Sequence, residues 1–227
     1  MEKGEIAKVA TAVNRWLSYQ ILCGREPLLC EGYLGHPIAE YLIHKHSGRL
    51  ETEFTHPVLK SPKSGRPYQI DYVLLSKNKK EIEIVIECKW ITNKAYNRQR
   101  ILDDILRLEC VHIPGRHVKR FLLVAAHKGD FQKRFADLTK NMGPGKPRKD
   151  FTRRFLRFSK TTPERTVKPY LAKKPFKSHY KDFSDSFNKS PVPKTFKTKL
   201  VARRWGDNIS VYIWEIMSVG NRSTFNP

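Results

Sequence analysis

Two apolar segments of the sequence each carry an acidic side chain, and one of them also carries a lysine. Glu87 and Lys89 belong to the segment 81–90, and Asp71 belongs to the segment 68–75. Side chains of an extended chain alternate between two faces, so Glu87 and Lys89 project from the same face. A carboxylate and an ammonium group placed side by side on a strand can act together on a cation and a phosphate group.

The polar residues 76–80 separate the two segments, and a hairpin is the simplest connection between them. If the hairpin closes around Lys79, Asp71 lies directly opposite Glu87. Opposed side chains lie about 4.5–5.5 Å apart at Cβ, so the two carboxylates can hold one cation. Without a cation, like charges this close oppose ionisation. Oxygen ligands favour Mg²⁺, with Mn²⁺ as a substitute, and such an ion polarises a phosphoryl oxygen and activates water.

A solvated sheet face is the alternative interpretation of the segment 81–90. Glu81 and Glu83 continue the same alternation, and such residues commonly form cross-strand ion pairs in water. A purely structural sheet avoids like charges in opposed positions, however, and Asp71 opposite Glu87 breaks that rule. The sequence therefore favours a metal site.

Asp71 on one predicted strand and Glu87-Cys88-Lys89 on the next form a pattern that resembles the PD-(D/E)XK nuclease superfamily. This superfamily includes type II restriction enzymes, Holliday junction resolvases and phage exonucleases. Ile70 stands where the family motif has proline. The resemblance implies an α/β fold with a restriction endonuclease-like core, in which helices flank a mixed central sheet. It also implies the element order helix, three-strand meander, helix, strand.

The resemblance implies an activity as well, the Mg²⁺-dependent hydrolysis of phosphodiester bonds in nucleic acid. Most enzymes of this superfamily cut DNA, so the implied enzyme is a DNA endonuclease. The resemblance assigns Asp71, Glu87 and the backbone carbonyl of Cys88 to the metal ion, and Lys89 to the attacking water or the transition-state charge. The alternative is a non-catalytic nucleic-acid-binding protein, either an inactive nuclease fold or a basic RNA-binding factor.

In the family that the chain resembles, a further acidic residue often comes from the helix before the sheet. Pro37 and the apolar residues after it predict a helix over 36–46. Glu40 interrupts this apolar stretch, so we take it as a catalytic and metal-binding candidate. Glu31, which precedes the predicted helix, is the second candidate. A solvent-facing Glu40 is the alternative interpretation.

The formal net charge is +22, and most of it comes from one part of the chain. Residues 140–204 contain twenty Lys or Arg side chains and four acidic ones. Prolines, few aliphatic residues and interspersed aromatic residues accompany this charge, a composition that opposes an independent core. We therefore expect a basic arm over residues 142–194, which extends the core toward the C-terminus.

A basic segment of this kind predicts a nucleic-acid partner. Bound phosphates release counterions, and aromatic rings between the charges can stack on unpaired bases. DNA is favoured over RNA because of the family resemblance. Several basic side chains, near the predicted site or in the arm, are candidates for binding phosphate groups: Lys94, Arg98, Arg100, Arg148, Arg153, Arg154 and Arg157.

Other roles for residues 142–194 remain open. The segment has no sustained amphipathic stripe for insertion into lipid, so we expect no membrane partner. A disordered solubilising tail is one alternative to a nucleic-acid-binding arm. Another is that the segment belongs to the core, with its aromatic residues packed against the sheet or against a C-terminal hairpin.

The remaining patterns divide the chain into three parts. We expect a nuclease-like core over 1–141, the basic arm over 142–194, and a β-hairpin over 195–227 that packs on or joins the core. Further predicted core elements are helices near 5–23, 93–108 and 130–141 and strands near 51–60 and 119–126.

The cysteines and the N-terminus bear on the cellular compartment. The four cysteines lack the spacing of a structural zinc site, which is consistent with a reducing compartment. The first residues do not have the shape of a signal peptide, so we expect a cytoplasmic protein. The sequence does not decide between a monomer and a homodimer.

Overall fold

The structure is a computed structural model. It describes residues 3–46, 48–59, 66–78, 81–92, 98–113, 115–130, 155–158, 161, 163–172, 176–220 and 222–227.

The chain begins with two helices, and further helices lie between the strands that follow. The described α-helices are α1 (Lys3–Leu22), α2 (Gly32–Lys45), α3 (Arg98–Cys110) and α4 (Phe176–Ser186). The described strands are β1 (Arg49–Thr55), β2 (Gln69–Leu75), β3 (Ile82–Ile91), β4 (Lys119–His127), β5 (Glu164–Val167), β6 (Val192–Pro193), β7 (Phe196–Trp205), β8 (Ile209–Ser218) and β9 (Thr224–Phe225).

The described strands form a seven-stranded sheet with the order β1-β2-β3-β4-β8-β7-β5, and β6 pairs separately with β9. Neighbouring strands of the large sheet are antiparallel, except that β3 and β4 are parallel. A parallel pair needs a crossover, and α3 lies in the connection between β3 and β4. The fold is therefore α/β with a mixed sheet, as the sequence predicts.

The predicted register of the β2–β3 hairpin is confirmed over three pairs. Tyr72 pairs with Ile86, and the next two pairs follow the same register. A register shift at Leu75 affects only the end nearer the turn. The register is fixed because a slip of one residue would move every apolar side chain to the other face.

Helices cover both faces of the sheet. On one face, α1 and α2 pack over a cluster that includes Leu17, Leu42 and Ile86. On the other face lies a cluster that includes Ile105 of α3 and Tyr180 of α4. Both faces of β3 are therefore buried from Ile84 to Cys88, and a polar side chain in this part of the strand is held in the protein interior.

The described part of segment 142–194 belongs to this second cluster. Phe155 and Phe158 are buried against the sheet, and β5 pairs with β7 at the sheet edge. The aromatic residues of α4 recur every three or four positions and face inward, whereas Lys177 and Lys181 between them are exposed. These residues match the alternative in which the segment packs against the sheet. The average composition of the segment does not show this, because it contains no information on the helical spacing of the aromatic residues.

Two further predictions concern the end of the chain and the helix over 130–141. The C-terminal hairpin is confirmed, because β7 and β8 pair with each other and β8 joins the sheet beside β4. Residues 128–130 are helical, and the rest of the predicted helix lies outside the described residues. Within the part of the chain that is described, no helix is long and apolar enough to cross a membrane.

Candidate active site

Asp71 and Glu87 lie on neighbouring central strands where the β2–β3 ladder ends. The last pair of the ladder is Tyr72 with Ile86, and the same register places Asp71 opposite Glu87. Beyond that pair, Oδ2 of Asp71 accepts a hydrogen bond of 2.7 Å from the backbone N–H of Cys88. The N–H and C=O of one strand residue point to the same edge, so the Cys88 carbonyl is also directed toward the β2 side.

Glu87 is the most buried acidic group among these candidates. Its side chain is 1% exposed, so the solvated sheet face considered from the sequence is wrong at this position. Burial raises the pKa of Glu87 well above its usual range, and the carboxylates of Asp104 and Asp71 add to the rise. Its Oε1 atom is buried and has no hydrogen-bond partner among the described residues.

Lys89 lies on the same face of β3 and is held by two carboxylates. Its Nζ is 3.0 Å from Oε1 of Glu31 and 3.4 Å from Oδ2 of Asp104. Burial opposes the charged form, but Asp104, Glu31 and Asp71 together raise the pKa of the Lys89 ammonium group. Lys89 is therefore positively charged, and its ammonium group lies among the carboxylates of the candidate site.

The acidic side chain that the helix brings to the site is Glu31, not Glu40. Glu31 lies at the N-cap of α2 and contacts Lys89. Glu40 is exposed, and nine residues at 100° each place it half a turn around the helix from Glu31. Gly35 lets α2 approach the sheet closely, because a Cβ there would collide with the hydroxyl of Tyr72. The structure thus brings Asp71, Glu87 and Lys89 together and leaves Glu40 outside.

Helix α3 adds two residues that the sequence analysis did not select. Asp104 is 2% exposed and accepts a hydrogen bond from Nη2 of Arg107. The same nitrogen lies 3.5 Å from Oε2 of Glu87. The signal was present in the sequence, because Asp104 falls within the apolar stripe of α3 formed by Ile101, Ile105 and Leu108.

A second set of contacts fixes the position of Arg107. The ring of Tyr68 lies 5.7 Å from its guanidinium carbon. His56 Nε2 lies 3.0 Å from the backbone oxygen of Arg107. Nδ1 of His56 accepts hydrogen bonds from the N–H groups of Val58 and Leu59, which assigns the ring proton to Nε2. Burial lowers the pKa of His56 to about 4, so this histidine is neutral at pH 7.

The site opens into a cavity of 490 Å³. Its lining includes the cationic Lys89, Arg100 and Arg107, the acidic Asp103, Asp104 and Asp182, and His179 and Phe183 of α4. Cations and carboxylates are equal in number among the described residues of this lining, and both Lys89 and Arg107 contact Asp104. Helix α4, within the segment predicted as a basic arm, therefore forms a wall of this cavity.

The predicted phosphate-binding residues are only partly described. Arg100 lines the cavity, and Arg157 is exposed on the segment that crosses β7 and β8. Arg98 begins α3, but its side chain is outside the described part of the structure. The remaining candidates also lie outside the described residues: Lys94, Arg148, Arg153 and Arg154.

The donor set fits a hard divalent cation. Oε1 of Glu87 is buried without a hydrogen-bond partner among the described groups, and its carboxylate lies next to that of Asp71. No group of three or more His, Cys, Asp or Glu side chains in the described ranges is arranged to hold a metal ion. A site made from Asp71, Glu87 and the Cys88 carbonyl has two such side chains, and Mg²⁺ commonly binds one or two carboxylates and keeps several waters.

Comparisons with known proteins add no relative: no family model matches the sequence, and no curated protein or solved structure matches it significantly. The functional argument therefore depends on the residues of the site.

Proposed function

We propose that this protein is a metal-dependent nuclease that hydrolyses phosphodiester bonds in nucleic acid, with DNA as the expected substrate and endonucleolytic cleavage as the expected mode. The observation that carries the proposal is the meeting of Asp71, Glu87 and Lys89 at the end of the β2–β3 ladder, beside a cavity whose lining includes Lys89 and Arg100. The order of α2, the β1–β2–β3 meander, α3 and parallel β4 supports it, because the family resemblance implies that order.

The metal-binding part of the proposal concerns Asp71, Glu87 and the Cys88 carbonyl. Mg²⁺ bound there would polarise a phosphoryl oxygen and lower the pKa of a bound water. Asp71 has a further role, because its side chain accepts the hydrogen bond from the Cys88 N–H. A backbone carbonyl of β2 would otherwise accept that bond and continue the ladder. The carbonyl of Cys88 then remains available on that side of the strand.

Lys89 and its partners would supply the positive charge at the reacting phosphate. Glu31 and Asp104 hold the ammonium group between β3, α2 and α3, so it cannot rotate freely. From that position Lys89 can orient the attacking water or neutralise charge that develops on the phosphate. Arg107 contacts Glu87 and Asp104 and offsets their charge inside the protein.

Replacement of the two carboxylates tests this assignment. We expect Asp71→Asn and Glu87→Gln each to abolish Mg²⁺-dependent cleavage and to leave nucleic-acid affinity nearly unchanged, because both groups serve the metal ion. Plasmid, linear duplex, branched DNA and RNA, each with and without Mg²⁺, are the substrates. Glu83→Gln is the matched control, since Glu83 is exposed on the same strand outside the site. Cleavage retained by folded Asp71 and Glu87 variants would overturn the proposal.

A non-catalytic nucleic-acid-binding protein is the second candidate function, and the contact of Arg107 with Glu87 favours it. A guanidinium group 3.5 Å from the carboxylate neutralises part of its charge without any metal ion. Electron paramagnetic resonance of added Mn²⁺ separates the two candidates. Mn²⁺ binding that Glu87→Gln removes supports the nuclease, whereas wild-type protein that binds nucleic acid but no Mn²⁺ supports the second candidate.

A further inference from the structure

Trp205, at the end of β7, is an exposed aromatic residue that is nevertheless held in place. Its side chain is 56% exposed, although tryptophan is among the residues that usually lose most of their surface to the core. The indole N–H donates a hydrogen bond of 2.7 Å to the hydroxyl of Tyr212. Tyr212 is itself buried and stacks on Trp214, with ring centroids 5.6 Å apart. The ring of Trp205 is thus preorganised and still accessible.

A cation lies over this ring. The guanidinium carbon of Arg203 is 5.5 Å from the ring centroid of Trp205, and Nη1 of Arg203 lies 3.5 Å from the backbone oxygen of Phe158. Arg157, which precedes Phe158 in the chain, is exposed. An aromatic surface with adjacent guanidinium groups suits a ligand that is both planar and close to negative charge. A nucleotide has both properties.

The register of the sheet relates this ring to the candidate active site. Lys89 pairs with Val124, Val124 with Tyr212, and Tyr212 with Arg203. Paired residues project from the same face, so Arg203 and Lys89 share one face of the sheet. Three strand spacings separate them, about 14 Å at about 4.8 Å each. Val124 and Tyr212, which lie between them, are buried, so a strand bound at Trp205 does not cross this part of the sheet face.

We propose that Trp205 and Arg203 form a stacking site for an unpaired nucleobase of a single-stranded segment that binds at the exposed end of β7. The inference rests on the proposed function for the choice of nucleic acid as the ligand, but base stacking itself needs no catalysis. The bases of an intact duplex are already stacked on each other and do not expose their faces to a protein ring. The site therefore favours single strands, frayed ends or unpaired junction arms over duplex DNA.

Binding in the absence of divalent cations tests the stacking site. The probes are a fluorescein-labelled single-stranded oligonucleotide and the same sequence as a blunt duplex, measured by anisotropy in EDTA. We expect Trp205→Ala to weaken single-strand binding by about 5- to 150-fold and to leave duplex binding almost unchanged. Trp205→Phe keeps a ring and should retain most of the affinity. Tyr19→Ala is the matched control, because Tyr19 is an aromatic residue that is also 56% exposed, on the α1 side of the molecule.

Several outcomes would overturn the stacking site: single-strand affinity unchanged in Trp205→Ala, equal losses on single strand and duplex, an equal loss in Tyr19→Ala, or no nucleic-acid binding by the wild type. A Trp205→Ala variant that changes the sedimentation of the protein without changing nucleic-acid affinity would assign the ring to a protein contact instead. Failure of the nuclease proposal gives a different result, in which the wild type does not cleave but Trp205→Ala still selectively loses single-strand binding.

Discussion

At the scale of single residues, Glu31 and Glu40 have opposite surroundings. Glu31 contacts Lys89, whereas Glu40 is exposed on the other side of α2. Loss of an outer-shell side chain at a metal site typically costs about 10- to 100-fold in metal affinity or activity. We therefore predict that Glu31→Gln lowers the rate of Mg²⁺-dependent cleavage by about that factor, and that Glu40→Gln leaves it unchanged.

Single-turnover cleavage with excess enzyme measures the chemical step for both variants and for the wild type. Thermal unfolding of each variant shows whether the fold is kept. A rate lost in Glu40→Gln but kept in Glu31→Gln would restore Glu40 to the site and would contradict the placement of α2 over the sheet.

His56 provides a residue-scale prediction about pH and stability. Its pKa is lowered to about 4 in the folded protein, so between pH 6.5 and pH 4 the unfolded chain binds a proton at this residue and the folded protein does not. The contribution of His56 to stability is therefore complete above pH 6.5 and is lost as the pH falls toward 4. The loss reaches about 3 kcal/mol, since each pKa unit corresponds to about 1.4 kcal/mol.

Urea unfolding of wild type and His56→Gln at several pH values measures this effect. Glutamine can donate to the Arg107 carbonyl but does not become protonated, so the stability difference between the two proteins should shrink as the pH falls from 6.5 to 4. A difference that is constant over this range would mean that His56 is not buried as a neutral ring.

At the scale of helices and strands, the sequence predicts elements better than it predicts which elements meet. The period-2 pattern and the polar turn predict the β2–β3 register, because both are local properties of the chain. The placement of Arg107 is not local. It depends on His56, the residue after β1, and on the packing of α3 over β3, which the sequence does not reveal.

The candidate site divides in the same way. Asp71, Glu87 and Lys89 could be selected from one hairpin, whereas the choice of Glu31 over Glu40 depends on how α2 docks on the sheet. Asp104 has a recognisable pattern, an acid within an apolar stripe, which indicates a buried charge without identifying its partner.

An ion pair at the C-terminal end of α3 gives a prediction about the packing of that helix. Glu109 is fully buried, and its Oε2 lies 3.1 Å from Nη1 of Arg120 on β4. Ser218 on β8 donates a hydrogen bond of 2.8 Å to the other oxygen of Glu109. The contacts connect α3 to two strands. Glu109→Ala leaves a buried guanidinium group without its partner, and we predict a loss of about 3–5 kcal/mol in the free energy of unfolding.

The control for Glu109→Ala is the loss of an ion pair that is exposed to solvent. Glu164 and Lys199 lie 2.8 Å apart with both side chains exposed, so Glu164→Ala should cost at most about 1 kcal/mol. Denaturant unfolding of both variants measures the two losses. Equal losses would show that burial of Glu109 and Arg120 does not control the stability of this part of the fold.

At the scale of the whole molecule, one segment of the chain supplies both exposed positive charge and buried core residues. The described part of 142–194 buries aromatic side chains against the sheet and exposes lysines between them. Composition averaged over the segment indicates only its charge, which is why the sequence suggested an arm. An amphipathic helix is indicated instead by the spacing of the aromatic residues Phe176, Tyr180, Phe183 and Phe187.

These two properties can be separated in one final prediction. Removal of residues 143–193, with a short flexible linker in their place, deletes β5, α4 and the buried Phe155 and Phe158, so we expect an unfolded protein by circular dichroism. Replacement of the exposed Lys177, Lys181 and Lys189 by glutamine keeps the buried side chains, so this variant should fold normally. Each of these lysines that contacts a phosphate should lower the salt dependence of single-strand binding, the slope of log K against log salt, by about 0.7. A folded deletion protein would show that the core does not need the segment, and an unchanged slope in the glutamine variant would exclude these lysines from the nucleic-acid contact.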